Sequence, residues 1–223
     1  SIAARQAAAV EEKQELLNDV ERADSLKIFP REYSGGRLLE LRNAAVLYDH
    51  RPVCSPCSFS VRTGERIALM GRNGSGKSSL LRLILGEQLE YTGVLCRASG
   101  LEISYVPQHA DDLSGSLLDL AEEKDIDRTQ FFTILRKLDF SRALLERDIA
   151  DYSAGQKKKV LLAVSLCQRA HLYLWDEPLN YIDLFSRIQL EQLILTYRPT
   201  MIFVEHDRTF REQVATGQVT LLP

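Results

Sequence analysis

No apolar run in this 223-residue chain is long enough to cross a bilayer: the longest, Val160 to Cys167, falls far short of the roughly 20 residues that a membrane-spanning helix needs. The polar-flanked N-terminus does not resemble a secretory signal, so the expectation is a soluble, cytoplasmic chain with no direct membrane insertion. Cysteine is scarce too. Four scattered residues cannot staple a chain of this size, and the single CxxC, Cys54-Ser55-Pro56-Cys57, has no second pair or nearby histidine to complete a zinc set. Cys57 instead alternates with Phe59 and Val61 as in a half-buried strand, which makes the pair structural. A net charge of −3 gives no global basic footprint, so any nucleic-acid contact has to be local or come from outside this chain. Internal repeats and low-complexity tracts are also missing. The 45% hydrophobic content that is present suits one large or two small globular units with a sizeable core.

What stands out against this background is Gly71-Arg72-Asn73-Gly74-Ser75-Gly76-Lys77-Ser78, a complete GxxxxGKS phosphate loop. It follows Ile67-Ala68-Leu69-Met70, which reads as a buried strand, and precedes an amphipathic helix carrying Leu80, Leu81, Leu83, Ile84 and Leu85. The glycines let the chain turn so tightly that successive N–H groups point inward, and Lys77 and the helix start add positive charge toward a polyphosphate. The Ser78 hydroxyl falls where Mg2+ sits on β- and γ-phosphates. Downstream, His171 to Trp175 is an apolar strand ending in Asp176 and Glu177. A carboxylate at such a tip can hold Mg2+ through its water shell, and Glu177 could polarise the water that attacks the γ-phosphate.

The elements alternate around this loop. Leu38–Tyr48, Ser58–Arg62, Arg66–Met70, Gly93–Arg97 and Glu102–Val106 read as strands, and the β signal then vanishes from Asp111 to Asp151, where Leu117–Glu122, Gln130–Leu138 and Ala143–Arg147 read as helices. Helix Gln156–Gln168, strand Leu172–Trp175, helix Phe185–Thr196, strand Met201–Val204, helix Arg208–Val214 and strand Gln218–Leu222 follow. That order predicts an α/β fold with a mainly parallel sheet covered by helices and carrying a helical insert. Ahead of it, Ile2 to Asp24 contains no Gly or Pro and sets Ala3, Val10, Leu17 and Val20 on one helical face, until Pro30 and Ser34-Gly35-Gly36 interrupt it. A chain that begins in mid-helix without methionine reads as a fragment; the alternative is an ordinary N-terminal helix packed on its own domain.

Tyr152-Ser153-Ala154-Gly155-Gln156 opens the helix before the Asp-Glu strand. Its exposed N–H groups and dipole suit an anion, although Ser153 would serve equally as a plain N-cap. The stretch resembles the LSGGQ signature of ATP-binding cassette proteins, and four further elements are similar to that family's motifs in order and spacing. Gln108, after Ser104-Tyr105-Val106-Pro107, resembles the Q-loop glutamine, and Asp183, in Leu179-Asn180-Tyr181-Ile182-Asp183, resembles the D-loop aspartate. His206, after Ile202-Phe203-Val204-Glu205, resembles the switch histidine, and Tyr48 the aromatic that stacks on adenine.

The resemblance implies a P-loop ATP-binding cassette domain over residues 31–223, with a mainly parallel core sheet, an antiparallel β subdomain and a small helical subdomain at about 109–151. It implies ATP and Mg2+ as cofactors. Tyr48 would stack on adenine, Gly71, Arg72, Asn73, Gly74, Ser75, Gly76, Lys77, Ser78 and Ser79 would cradle the phosphates, and Ser78, Gln108 and Asp176 would organise Mg2+. Glu177, His206, Gln108 and Lys77 would carry the chemistry of an ATPase. Ser153, Ala154, Gly155 and Gln156 would serve a nucleotide held by another cassette, and Asp183 would communicate across the pair.

Trp175 to Arg187, Trp-Asp-Glu-Pro-Leu-Asn-Tyr-Ile-Asp-Leu-Phe-Ser-Arg, is similar to the ABC-F family, above all to its ribosome-protecting, antibiotic-resistance branch. This implies a second cassette on the same chain and a ribosomal (rRNA) partner, with residues 1–30 as the end of the helical linker and this chain as the second cassette. The alternative is the ATPase subunit of a membrane ABC transporter. Tyr152 and Ala154 depart from the usual signature, Ala154 adding a methyl group where backbone has to approach a phosphate. Tyr181 and Ile182 replace the usual His-Leu of the D-loop. Lys157, Lys158 and Lys159 read as a solvated helix face, with rRNA contact as the sharper reading.

Overall fold

A computed structural model describes residues 27–223, so the expected helix Ile2–Asp24 lies outside the described residues. The packed body begins at Ile28, which is buried, and Arg31 donates its backbone N–H to Ala170 O at 2.9 Å.

Alternating apolar residues make β1 (Arg37–Tyr48) the centre of an antiparallel sheet with β2 (Arg51–Pro52), β3 (Cys57–Arg62) and β5 (Tyr91–Arg97). The pairing of Tyr48 with Arg51 is closed by Asp49 and His50, both left-handed at φ 49° and 62°. Paired positive φ values mark the two-residue hairpin turn whose twist matches that of the strands. Neither residue is glycine, so β2 leaves no mark in the sequence pattern.

The second sheet runs β6 (Ile103–Val106), β7 (Leu172–Asp176), β8 (Met201–Val204), β4 (Arg66–Met70) and β9 (Gly217–Thr220), and each of its pairings is parallel. Strand β9 stops two residues before the expected Leu222. Strands β7 and β8 are buried on both faces, and their alternation sorts two cores. Leu172, Leu174, Ile202 and Val204 pack on α1 (Lys77–Leu85) and the antiparallel sheet, while Tyr173, Trp175, Met201 and Phe203 pack on the other side.

That other side holds α5 (Ala154–Cys167), α6 (Leu184–Tyr197), α7 (Arg208–Val214) and the helical insert, formed by α2 (Leu117–Glu123), α3 (Arg128–Lys137), α4 (Arg142–Leu145) and a 3-10 turn at Ile149–Asp151. Each element of the insert starts at a capping side chain: Ser116, Asp127, Ser141 and Asp148 accept the backbone N–H groups of Asp119, Gln130, Leu144 and Ala150 in turn.

The expected solvated face at Lys157 to Lys159 is corrected here. Lys158 and Lys159 are 2% and 8% exposed, and Lys157 is half-buried. Helix α5 lies between the parallel sheet and the insert, so Lys158 faces strand tips and Lys159 faces Asp183 at the start of α6 rather than water.

Candidate functional site

In a parallel sheet, ligands meet the carboxyl ends of the strands, and the predicted residues gather there. Strand β4 ends at Met70 and releases the phosphate loop, β6 ends two residues before Gln108, β7 ends on Asp176 with Glu177 next, and β8 ends two residues before His206. Registers of Val106 with Trp175 and of Asp176 with Val204 set these tips side by side. A cavity of about 290 Å³ opens over them, lined by Tyr48, Asn73, Gly74, Gly76, Lys77, Ser78, Ser79, Gln108 and Glu177, together with Val53. Gly71, Arg72 and Ser75 do not line it, and neither do Asp176 and His206, which stand beside Glu177 at the strand tips.

Gly76 caps α1 with φ 84°, where an L side chain is strained, and a Cβ there would come within 2.6 Å of Val53 Cγ2. No side chain caps the helix, which leaves its first N–H groups turned toward the cavity. Lys77 is buried, and its ammonium donates to Gly71 O at 2.8 Å and Arg72 O at 2.9 Å, which holds a positive charge inside the loop. Tyr48, 44% exposed, meets Ser79 Oγ through its hydroxyl at 2.9 Å, so its ring is fixed at the mouth.

Asp176 is 1% exposed, and neither carboxylate oxygen has a hydrogen-bond partner. Burial pushes its carboxyl up, against the pull of Ser78, Lys158 and Lys77. Ser78 acts at short range here without completing a bond to either oxygen. A buried acid with two bare oxygens, near the Ser78 hydroxyl and next to a cavity that Ser78 and Gln108 both line, supplies hard oxygen donors that fit Mg2+.

Glu177 is better served. It sits at φ 49°, its N–H donates to Val204 O at 2.8 Å, and its carboxylate accepts Asn180 Nδ2 at 2.5 Å and meets His206 Nε2 at 3.0 Å. Burial pushes this carboxyl up, but hydrogen bonds from Gln108, His206 and Asn180 together outweigh it and hold the group below the usual glutamate value. An ionised carboxylate, oriented by three partners at the cavity wall, can accept a proton from water.

Ser153, Ala154, Gly155 and Gln156 do not line the cavity. Ser153 does cap α5: it accepts Gln156 N–H at 3.2 Å, and the Gln156 side chain returns the bond to Ser153 N–H at 2.9 Å. Ser153 and Ala154 are exposed, so this helix start faces outward. Tyr152 turns inward instead, bonding Leu144 O at 2.7 Å and meeting Phe140 edge-on, which places its ring away from that open helix end. A Cβ on Gly155 would strike Tyr181 O, so the stretch before Asp183 lies directly against the signature. Asp183 caps α6 through Ser186 N–H and pairs with Lys159 at 2.6 Å. Burial pushes its carboxyl up, but Lys159 and Ser186 outweigh that and hold it low.

Four residues that bear on the site carry no motif signal. Val53 lines the cavity and Asn180 orients Glu177. The buried Glu205 carboxylate accepts N–H groups of Leu179, His206 and Asp207 at 3.1, 2.8 and 3.2 Å, which ties the D-loop to the switch histidine. Lys158 reaches in from α5 to Pro107 O, Gln108 O and Asp176 O, and burial pushes its amine down to about 8 against the pull of Asp176, Glu177 and Glu205.

The family profile described as ABC transporter matches residues 54–180. The chain is 30% identical over 194 residues to the ribosome protection protein VmlR of Bacillus subtilis (strain 168), across 84% of this chain and 35% of that protein. It is 30% identical over 211 residues to the ATP-binding protein Uup of Buchnera aphidicola subsp. Acyrthosiphon pisum (strain APS), across 91% and 35%. With ABC transporter F family member 2 of Arabidopsis thaliana it shares 28% over 187 residues, across 81% and 28%. The chain therefore spans between 28% and 35% of the length of these relatives. A solved ATP-binding subunit of an ABC transporter superposes with a TM-score of 0.66 at 23% identity, covering 83% of this chain and 86% of that one, a likeness of fold.

Proposed function

This chain belongs to the ABC transporter family of ATP-binding cassettes, and on that premise we propose that it binds ATP with Mg2+ and hydrolyses it once a second cassette closes over the cavity. The observation that carries this reading is the division of the site: the phosphate loop, Gln108 and Glu177 line one cavity, with Asp176 and His206 next to Glu177, and none of the signature residues lines it. Tyr48 offers a ring to adenine, and the loop N–H groups and Lys77 hold the phosphates. Mg2+ held by Ser78, Gln108 and Asp176 would neutralise charge on the β- and γ-phosphates. Glu177 orients the attacking water and accepts its proton, while His206 steadies Glu177 and reaches the γ-phosphate. Catalysis of this kind is positioning plus charge stabilisation. It is half complete here, because the γ-phosphate lacks the helix N-terminus that a partner's signature would bring.

The second cassette is proposed to lie on the same polypeptide, and the pair to act on the ribosome in the cytoplasm and confer antibiotic resistance. The name and similarity of VmlR support this, as does a shared length that leaves room for another cassette. Co-sedimentation of the full-length Glu177→Gln protein with ribosomes tests it. Pelleting that depends on ATP is expected; a protein that stays in the supernatant shifts the reading to a transporter ATPase subunit.

A further inference from the structure

Helix α5 is the element that links the outward signature to the inward site, and its second turn carries the contact. Lys158, 2% exposed, donates to Pro107 O at 2.8 Å, Gln108 O at 3.0 Å and Asp176 O at 3.1 Å. An ammonium has three N–H donors, and here each meets one carbonyl, with no water needed to complete the set. The three acceptors belong to the two strand-tip segments that present Gln108 and Asp176. In the same helix, Gly155 abuts Tyr181 O and Lys159 pairs with Asp183, so α5 also grips the D-loop.

We propose that Lys158 is a positioning residue that fixes the backbones of Gln108 and Asp176 to the signature helix, so that the Mg2+ donors of one nucleotide site move with the helix end that serves the other. This rests on the reading of the cavity as an Mg–ATP site. The bonds are charge-assisted and buried, hence strong and directional. The other polar ties from α5 to these strands, Ser165 Oγ to Ser104 Oγ at 2.6 Å and to Trp175 Nε1 at 2.9 Å, engage side chains further back along them, so loss of the ammonium frees the backbones of Gln108 and Asp176 to drift relative to Ser78. The phosphate loop itself, held by Gly71, Gly76 and Lys77, does not depend on Lys158. Two quantities therefore separate: ATP affinity without metal, which the loop sets, and the gain that Mg2+ adds, which depends on Lys158.

The test is calorimetric titration of ATP into the full chain, in EDTA and across a Mg2+ series, for wild type, Lys158→Met and Lys158→Gln, with thermal melting of each. Methionine keeps an unbranched side chain one atom shorter and removes all donors; glutamine keeps two. For Lys158→Met, affinity in EDTA is expected to stay within about twofold, and the Mg2+ concentration for half-maximal gain to rise roughly tenfold to a hundredfold, as for lost supports of metal ligands. Lys158→Gln falls between, and it carries the test alone if the methionine variant does not fold. An unchanged Mg2+ requirement overturns the proposal, and so does an equal loss with and without metal, which marks a purely structural lysine. A wild-type chain that binds ATP under neither condition overturns the Mg–ATP reading itself.

Discussion

Glu177 Oε1 and His206 Nε2 stand 3.0 Å apart at the tips of two neighbouring parallel strands. The pair joins the residue proposed to orient water to the residue proposed to reach the γ-phosphate, and Asn180 donates to the other carboxylate oxygen. Replacing Glu177 by Gln keeps the shape and removes the base. We expect ATP binding within a few-fold of wild type and a fall in hydrolysis of roughly 10²- to 10⁴-fold, the usual worth of a general base. Single-turnover phosphate release and ATP titration on one preparation measure both.

The same pair sets a pH dependence. Burial alone would raise the Glu177 carboxyl, and its hydrogen bonds lower it below the ordinary glutamate value, about 4.3. A depressed carboxyl contributes stability that is fully present above that value and is lost as pH falls through its folded value. In His206→Ala one of the lowering bonds is gone, so the Glu177 titration is expected to move upward. Carboxyl-detected NMR titration of the two chains reads the shift; coincident curves contradict the assigned bond.

Asp176 has the opposite sign. Burial raises its carboxyl, so without metal the folded chain holds a proton that the unfolded chain has released, and stability falls as pH rises from about 3.9, the unfolded value, through the folded one. Asp176→Asn is therefore expected to melt higher than wild type at neutral pH in EDTA. The difference should shrink toward zero as pH falls to about 4, and Mg2+ should no longer strengthen ATP binding. Paired melting curves in EDTA across pH decide it.

Gly155→Ala places a methyl group against Tyr181 O, a backbone atom that cannot swing aside. A loss of about 1–3 kcal/mol in chemical denaturation is expected, with a displaced D-loop and weakened pairing of cassettes. Gly100→Ala is the control: at φ 68° but with open space around its Cβ, it should cost about 1–2 kcal/mol and leave ATP chemistry untouched.

Most of this site is legible from residue type and order, because each motif is tied to a local geometry: a GxxxxGKS turn can bend only one way, and an apolar strand ending in Asp176 and Glu177 has to deliver them to a strand tip. What is not legible depends on tertiary neighbours. A lysine run looks solvated until α5 is seen pressed against the strand tips and the D-loop, where Lys158 and Lys159 respectively find acceptors. Glu205 reads as one more charge beside His206, and only the folded D-loop supplies the Leu179 N–H it accepts. The hairpin at Asp49 and His50 escapes notice because two ordinary residues take up left-handed backbone. Ser153 shows the converse, being legible both as an N-cap and as a signature serine; the structure shows the cap, and the signature role waits on a partner.

The half-site is the central claim, and the dependence of ATPase rate on protein concentration tests it most directly, for wild type and for Ser153→Asp. Aspartate keeps a capping oxygen for α5 but sets a negative charge where a partner's γ-phosphate would bind. Slow turnover per chain that rises with concentration in wild type and is suppressed in Ser153→Asp, with ATP affinity unchanged, is expected. A brisk rate per chain that is independent of concentration and survives the substitution would contradict it, because the cavity would then be a complete active site on its own.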